Sequence, residues 1–217
     1  MIELIFVIIV IGILTSLALP RLNRDGRQEA ADNILSAIRY AQHMALTDDV
    51  TDPKSPLWQR RFWRFGVRTC LAADGDVFYY VGADKNDGGN INNVEAAIDA
   101  ASGKRMLGLA GTSCADGVNN DAAPDIFLSH KYGIKDTNMF ATCGAADADA
   151  ARYIGFDHLG RPHTGFSGSL TPDYNTLMSA DCNLTFRSKP DDATIAPLII
   201  TIQSETGYAF IVGQPDS

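Results

Sequence analysis

The sequence predicts an α+β fold: a long N-terminal α-helix, hydrophobic and then amphipathic, packed on a mostly antiparallel β-sheet head. Three observations carry this. The opening "MIELIFVIIVIGILTSLAL" is almost uniformly apolar, the next stretch repeats apolar residues at helical spacing, and beyond Leu57 the chain breaks into short β-prone runs separated by Gly, Asp and Asn. The expected division is a transmembrane or filament-core helix over 1–20, its amphipathic continuation over 21–47, and a β-rich head over 57–217.

The first element is read from length and charge. Nineteen residues precede the first proline, and as a helix they would reach roughly 28 Å, close to the ~30 Å thickness of bilayer hydrocarbon. A cleavable signal peptide would carry a basic start and a small-x-small cleavage site, and neither is visible. The only charge in the run is Glu3. A carboxylate at membrane depth costs about 2.5–3.5 kcal/mol, so it calls for a partner. The competing reading places Glu3 at the surface, as an acid that complements the helix dipole.

The second element follows Pro20. Ile34, Ile38, Ala41 and Ala45 recur at helical intervals with Leu35 and Leu46 alongside, while Arg24, Asp25, Arg27, Glu29, Asp32 and Arg39 fill the other positions. This predicts a helix to about Thr47 with one face on the head. "TDDVTDPKSP" then ends it, since two prolines and several turn formers cannot extend a helix.

The remaining elements are strands. "RFWRFGVRT", "VFYYV", "DIFLS", "ARYIGF" and "NLTF" are rich in aromatic and β-branched residues. "APLIITI", "QSETG" and "YAFIV" read as a strand, a turn and a strand.

The N-terminal stretch "MIELIFVIIVIGILTSLALPRL" resembles the N-terminal helix of type IV pilins and of the pseudopilins of type II secretion. Met1, Ile2, Glu3 and Leu4 match its start, Gly12 falls in its apolar run, and Ala18, Leu19 and Pro20 match its end. The family pattern has an N-methylated Phe and a hydroxyl residue ahead of this Met, and a short basic leader before those. The resemblance implies a filament subunit. Glu3 would pair with the N-terminal amine of a neighbouring copy, and Gly12 and Pro20 would let the helix soften or kink as it leaves the inner membrane. The implied partners are other copies of the chain, the prepilin peptidase and a pilus or type II secretion assembly machine; the implied location is the inner membrane first and a periplasmic or extracellular filament afterwards. "ILSAIRYAQHMAL", "IGFDHLGRP" and "TGYAFI" are more loosely similar to H-type pseudopilins and their pilus-biogenesis relatives, which leaves a minor, adaptor or priming subunit, or a DNA-binding minor pilin, as the alternatives.

Other constellations carry two readings each. Cys70, Cys114, Cys143 and Cys182 are candidates for two disulfides in an exported head, with three possible pairings, or else for four buried thiols. Asp84, Asn86 and Asp87 in "ADKNDGGN", and Asp116, Asn119, Asp121 and Asp125 in "CADGVNNDAAPD", offer oxygen ligands for Ca²⁺, although the same residues are ordinary turn formers. No other cofactor is suggested. Arg60, Arg61, Arg64 and Arg68 lie among Trp58, Phe62 and Trp63, a pattern that can hold single-stranded nucleic acid or can pair with the acids of the head. Asn183 heads an N-x-[ST] acceptor, "NLT". Four histidines are present, but no nucleophile elbow, H-E-x-x-H or phosphate-cradling glycine loop accompanies them, so no enzyme is expected.

Overall fold

A computed structural model describes residues 2–70, 76–108, 121–135, 138–144, 152–188 and 196–214, with side chains of the N-terminal helix described at 4–13 and from 26 onward. Helix α1 (Ile2–Thr47) stops before "DDVTDPKSP". A 3₁₀ turn (Trp58–Arg61) leads into β1 (Trp63–Thr69), and β2 (Val77–Gly82) follows. Helix α2 (Leu128–Tyr132), β3 (Ile134–Lys135), β4 (Tyr153–Phe156) and β5 (Pro162–His163) come next. β6 (Cys182–Ser188), β7 (Leu198–Ile202) and β8 (Ala209–Ile211) complete the order.

Two parts of the expected fold are corrected. The head is not built on one sheet: its strands form two four-stranded antiparallel sheets, β2-β1-β4-β5 and β3-β6-β7-β8. A long apolar helix is also not found, because no helix of the described residues is long and apolar enough to cross a membrane. Their apolar surface on α1 ahead of the head runs from Leu4 to Ile13, which at 1.5 Å per residue is about 15 Å, half the bilayer.

The reason for two sheets is visible on α1. Ala30, Ala31, Ile34, Leu35, Ala37, Ile38, Ala41 and Ala45 are all buried. At ~100° per residue these positions cover roughly 160° of the helix, wider than the ~100° stripe that a single layer needs. The helix therefore touches β1, β2 and β4 of one sheet and β7 and β8 of the other. An isolated bridge between Asp76 and Lys135 links the sheets on one side. The buried aromatics Phe62, Phe65, Tyr153, Phe156, Phe166 and Phe186 fill the core around this arrangement.

One expected strand is replaced by helix. "DIFLS" forms a 3₁₀ turn (Pro124–Ile126) and the start of α2. Pro124 supplies a φ suited to a helical first turn, and Gly133, at φ 63°, closes α2 with its N–H bonded to the carbonyls of Leu128 and Ser129.

Candidate functional site

The N-terminal part of α1 presents an uncovered apolar surface. Leu4, Ile5, Phe6, Val7, Ile8, Ile9, Ile11 and Ile13 are each more than half exposed, and Val10 is 37% exposed. Consecutive residues point around the whole circumference of a helix, so the segment has no polar face to turn to water. A helix that is apolar all round is normally buried. Gly12 lies within this surface, with nothing within 4 Å of where a Cβ would stand. The side chains of Glu3 and Pro20 lie outside the described residues.

The head is fastened to α1 at its other end by two segments that are far apart in the chain. Gln42 Nε2 donates to the carbonyl oxygens of Gly160 and Thr206, both at 2.9 Å. Gly160 turns the β4–β5 connection at φ 79°, and Gly207 turns the β7–β8 hairpin at φ 68°. A Cβ on Gly207 would come within 2.6 Å of Gln42 Nε2 and would also run into the Gly160 carbonyl. "AQHMAL", "FDHLGRP" and "TGYAFI" thus meet at one point. Close by, Arg39 Nη2 donates to the Ala209 carbonyl and its guanidinium lies 5.7 Å from the Tyr208 ring centre.

The β4–β5 turn is locked by a buried carboxylate. Asp157 Oδ1 accepts from the Leu159 and Arg161 backbone N–H groups, and Oδ2 accepts from the Arg161 guanidinium at 2.8 Å. His163 Nε2 stands 3.3 Å from Asp157 Oδ2, and its Nδ1 is 3.0 Å from the Thr176 hydroxyl, which donates to the Asp173 carbonyl. Burial pulls the Asp157 carboxyl up, but the bonds from His163 and Arg161 outweigh it and hold the group well below the usual carboxylate range. Imidazole, acid and hydroxyl are here arranged as a brace inside the head.

The acidic loop after β2 is organised by arginines. Asp84 is fully buried, and its two oxygens accept from the backbone N–H groups of Gly88 and Gly89. Arg64 Nη2 stands 3.9 Å from Asp84 Oδ2, and the guanidinium lies 5.1 Å from the Tyr153 ring centre and 5.7 Å from that of Phe166. Arg61 grips both oxygens of Asp87, at 2.8 and 2.7 Å, and this pairing lowers the Asp87 pKa. Arg60 donates to the carbonyls of Asp87 and Ser169, both at 2.7 Å. Asn86 Oδ1 caps Gly88 N–H. Arg60 and Arg61 are thus hydrogen-bonded within the head, whereas the buried Arg64 leaves Nε and Nη2 without a hydrogen-bond partner among the described residues. Arg68 lies over the Tyr80 ring at 4.6 Å.

The second oxygen-rich loop is described only in part. Asp116 and Asn119 lie outside the described residues, Asp121 is exposed, and Asp125 pairs with Lys131 at 2.5 Å. Among the described residues no group of three or more His, Cys, Asp or Glu side chains could hold a metal. Cys143 and Cys182 form a disulfide, and Cys70 is also disulfide-bonded; Cys114 lies outside the described residues. Asn183 is exposed on β6, its Oδ1 accepting from the Thr201 hydroxyl at 2.8 Å.

Sequence reading missed Gln42 and Thr176, which carry two of these junctions. Gln42 lies one turn after Ile38 and two after Leu35, within the packed arc of α1 and half-buried, but a glutamine there carries no hydrophobic signal, and only the paired turn glycines far downstream hinted at a fastening point. No protein-family model matches the chain, and neither a curated protein nor a solved structure matches it.

Proposed function

We propose that the chain is a structural subunit of a type IV pilus-like helical filament, polymerising through the apolar N-terminal segment of α1. The observation that carries this reading is the exposure of Leu4–Ile13 around the full helix circumference. Burying such side chains contributes about 1.5–3 kcal/mol each, so a segment with no polar face is driven to cover itself in lipid or against like segments. The resemblance at Met1–Leu4, Gly12 and Ala18–Pro20 selects copies of the same helix as the cover. In this reading the chain waits at the inner membrane, Glu3 registers each incoming copy, and the disulfide-bonded heads coat a periplasmic or extracellular fibre.

A second reading, a minor pseudopilin that primes or caps a secretion or pilus machine, is favoured by a separate observation. The helix motif that contains Gln42 and the two head motifs, all of which resemble H-type pseudopilins, come together through the Gln42 amide.

Electron microscopy of fibres sheared from cells, with Glu3→Ala and Ile8→Asp beside the wild type, tests the first reading. The chain should be present along wild-type fibres and lost from both variants. Fibres equally abundant in all three strains would refute polymerisation through this segment. Fibres that incorporate the chain only when companion subunits are expressed would favour the adaptor.

A further inference from the structure

The stretch "DCNLT" at the start of β6 plays no part in the filament reading. Of the chain's eleven asparagines, Asn183 alone heads an N-x-[ST] tripeptide, so any chemistry specific to that tripeptide has one place to occur.

The strand sorts this stretch by side. Cys182, Leu184 and Phe186 are buried, whereas Asp181 and Asn183 are exposed and Thr185 is half-buried. Side chains alternate along a strand, so acid, amide and hydroxyl stand in one outward row. The buried row faces α1: Phe186 and Leu198, its partner on β7, line a small cavity together with Ala30 of the helix. Asn183 therefore lies on the side of the sheet turned away from α1, where an added group displaces nothing from the core.

The asparagine is positioned as well as exposed. Its backbone N–H donates to the Thr142 hydroxyl at 2.8 Å, and its carbonyl lies 3.2 Å from the same hydroxyl. The side-chain Oδ1 accepts from the Thr201 hydroxyl at 2.8 Å, which leaves Nδ2 without a partner among the described residues. Turning the amide over would commit one N–H to Thr201 and leave the other, so an N–H is free in either orientation.

We propose that Asn183 is a site of N-linked glycosylation, its Nδ2 taking a sugar from a glycosyl diphosphate. In the transfer Nδ2 bonds to the anomeric carbon of the sugar. The bond from that carbon to the diphosphate oxygen breaks, the diphosphate leaves with the electron pair, and one amide proton passes to a base of the transferase. The Cys143–Cys182 disulfide, adjacent to the acceptor, fits an oxidising compartment outside the cytoplasm. N-linked acceptors belong to the surfaces of such exported proteins. The proposal needs export of the head and does not need a fibre, so its failure and that of the filament reading are separate results.

The test is peptide mass spectrometry on the full chain isolated from the cells that make it. The peptide containing Asn183 should exceed its sequence mass by whole sugar residues. Thr185→Ser should keep the increment, and Thr185→Val, which retains the asparagine and suits a strand, should lose it. An Asn183 peptide found only at its sequence mass in the wild type would overturn the proposal without reliance on any variant. An increment undiminished in Thr185→Val would overturn it as well, because the tripeptide would then not be what is recognised. A block of several sugars identifies a lipid-linked diphosphate as the donor and a lone hexose a nucleotide-linked one; either supports the site.

Discussion

The Gly207 Cα stands against the carbonyl oxygen of Gly160, with no room between them for a side chain. Gly207→Ala would force a Cβ into that contact at φ 68°. Left-handed backbone alone costs a non-glycine residue about 1–3 kcal/mol. Gly103 has the same φ but open space around it, so Gly103→Ala isolates the backbone cost. Gly207→Ala should lower Tm by several degrees more than Gly103→Ala in thermal melts of the head. Equal shifts would mean that the two turns are not in contact.

The Asp157 brace predicts a dependence on pH. Its folded pKa is held below the unfolded value of about 3.9. Its contribution is therefore present above that value and is lost as pH falls from about 5 through the lower, folded pKa. Asp157→Asn should be less stable than wild type at pH 7, and the gap should narrow steadily below pH 5. Urea midpoints for both proteins at pH 7, 5 and 3 check this. A gap that stays constant would remove Asp157 from the acid response.

Removal of the Cys143–Cys182 bridge should be costly. The two residues are 39 apart in sequence, and the chain-entropy model gives roughly 4 kcal/mol for a loop of that length, with measured values typically about 2–4 kcal/mol. At about 2–4 °C per kcal/mol for a domain of this size, the Cys143→Ala, Cys182→Ala double variant should melt roughly 5–15 °C lower. Calorimetry would decide, and an unchanged melt would show that β6 is held by its other contacts.

Arg64 and Arg68 have similar sequence settings and should behave differently. Arg64→Ala strips the nearest cation from the fully buried Asp84, a loss on the order of 3–5 kcal/mol. Arg68→Ala removes a cation–π contact at a half-buried position, about 0.5–1 kcal/mol. Denaturant midpoints that fall equally for both would contradict the buried pairing.

The strands were legible where β-branched and aromatic residues run together, as in β1, β2 and the β7–β8 hairpin. The helical face from Ile34 to Ala45 was legible from its spacing. What misled was breadth. Ala30, Ala31 and Ala37 carry little hydrophobic signal, yet they widen the buried face of α1 until a second sheet is needed to cover it. Local composition also misled at "DIFLS", where Pro124 and Gly133 set helical turns around residues that favour strands. At the candidate sites, residue types were readable but partners were not. For the arginines the sequence offered pairing with acids of the head as one of two readings, and the structure names the pairs as Arg61–Asp87 and Arg64–Asp84.

The bond from Arg39 to Ala209 spans 170 positions of sequence, and that distance governs how the head is made. A ribosome has long since released α1 when β7 and β8 are synthesised, so the part of the helix's packing surface that they cover stays bare throughout elongation. Docking that hairpin on α1 must close a very large loop before its contacts form, which makes this step slow relative to local packing. Until that closure, the apolar face at Ala30–Ala45 is uncovered alongside the segment at Leu4–Ile13. A holding partner during biogenesis would shield both, and loss of residues 198–211 should yield aggregates rather than a shortened head.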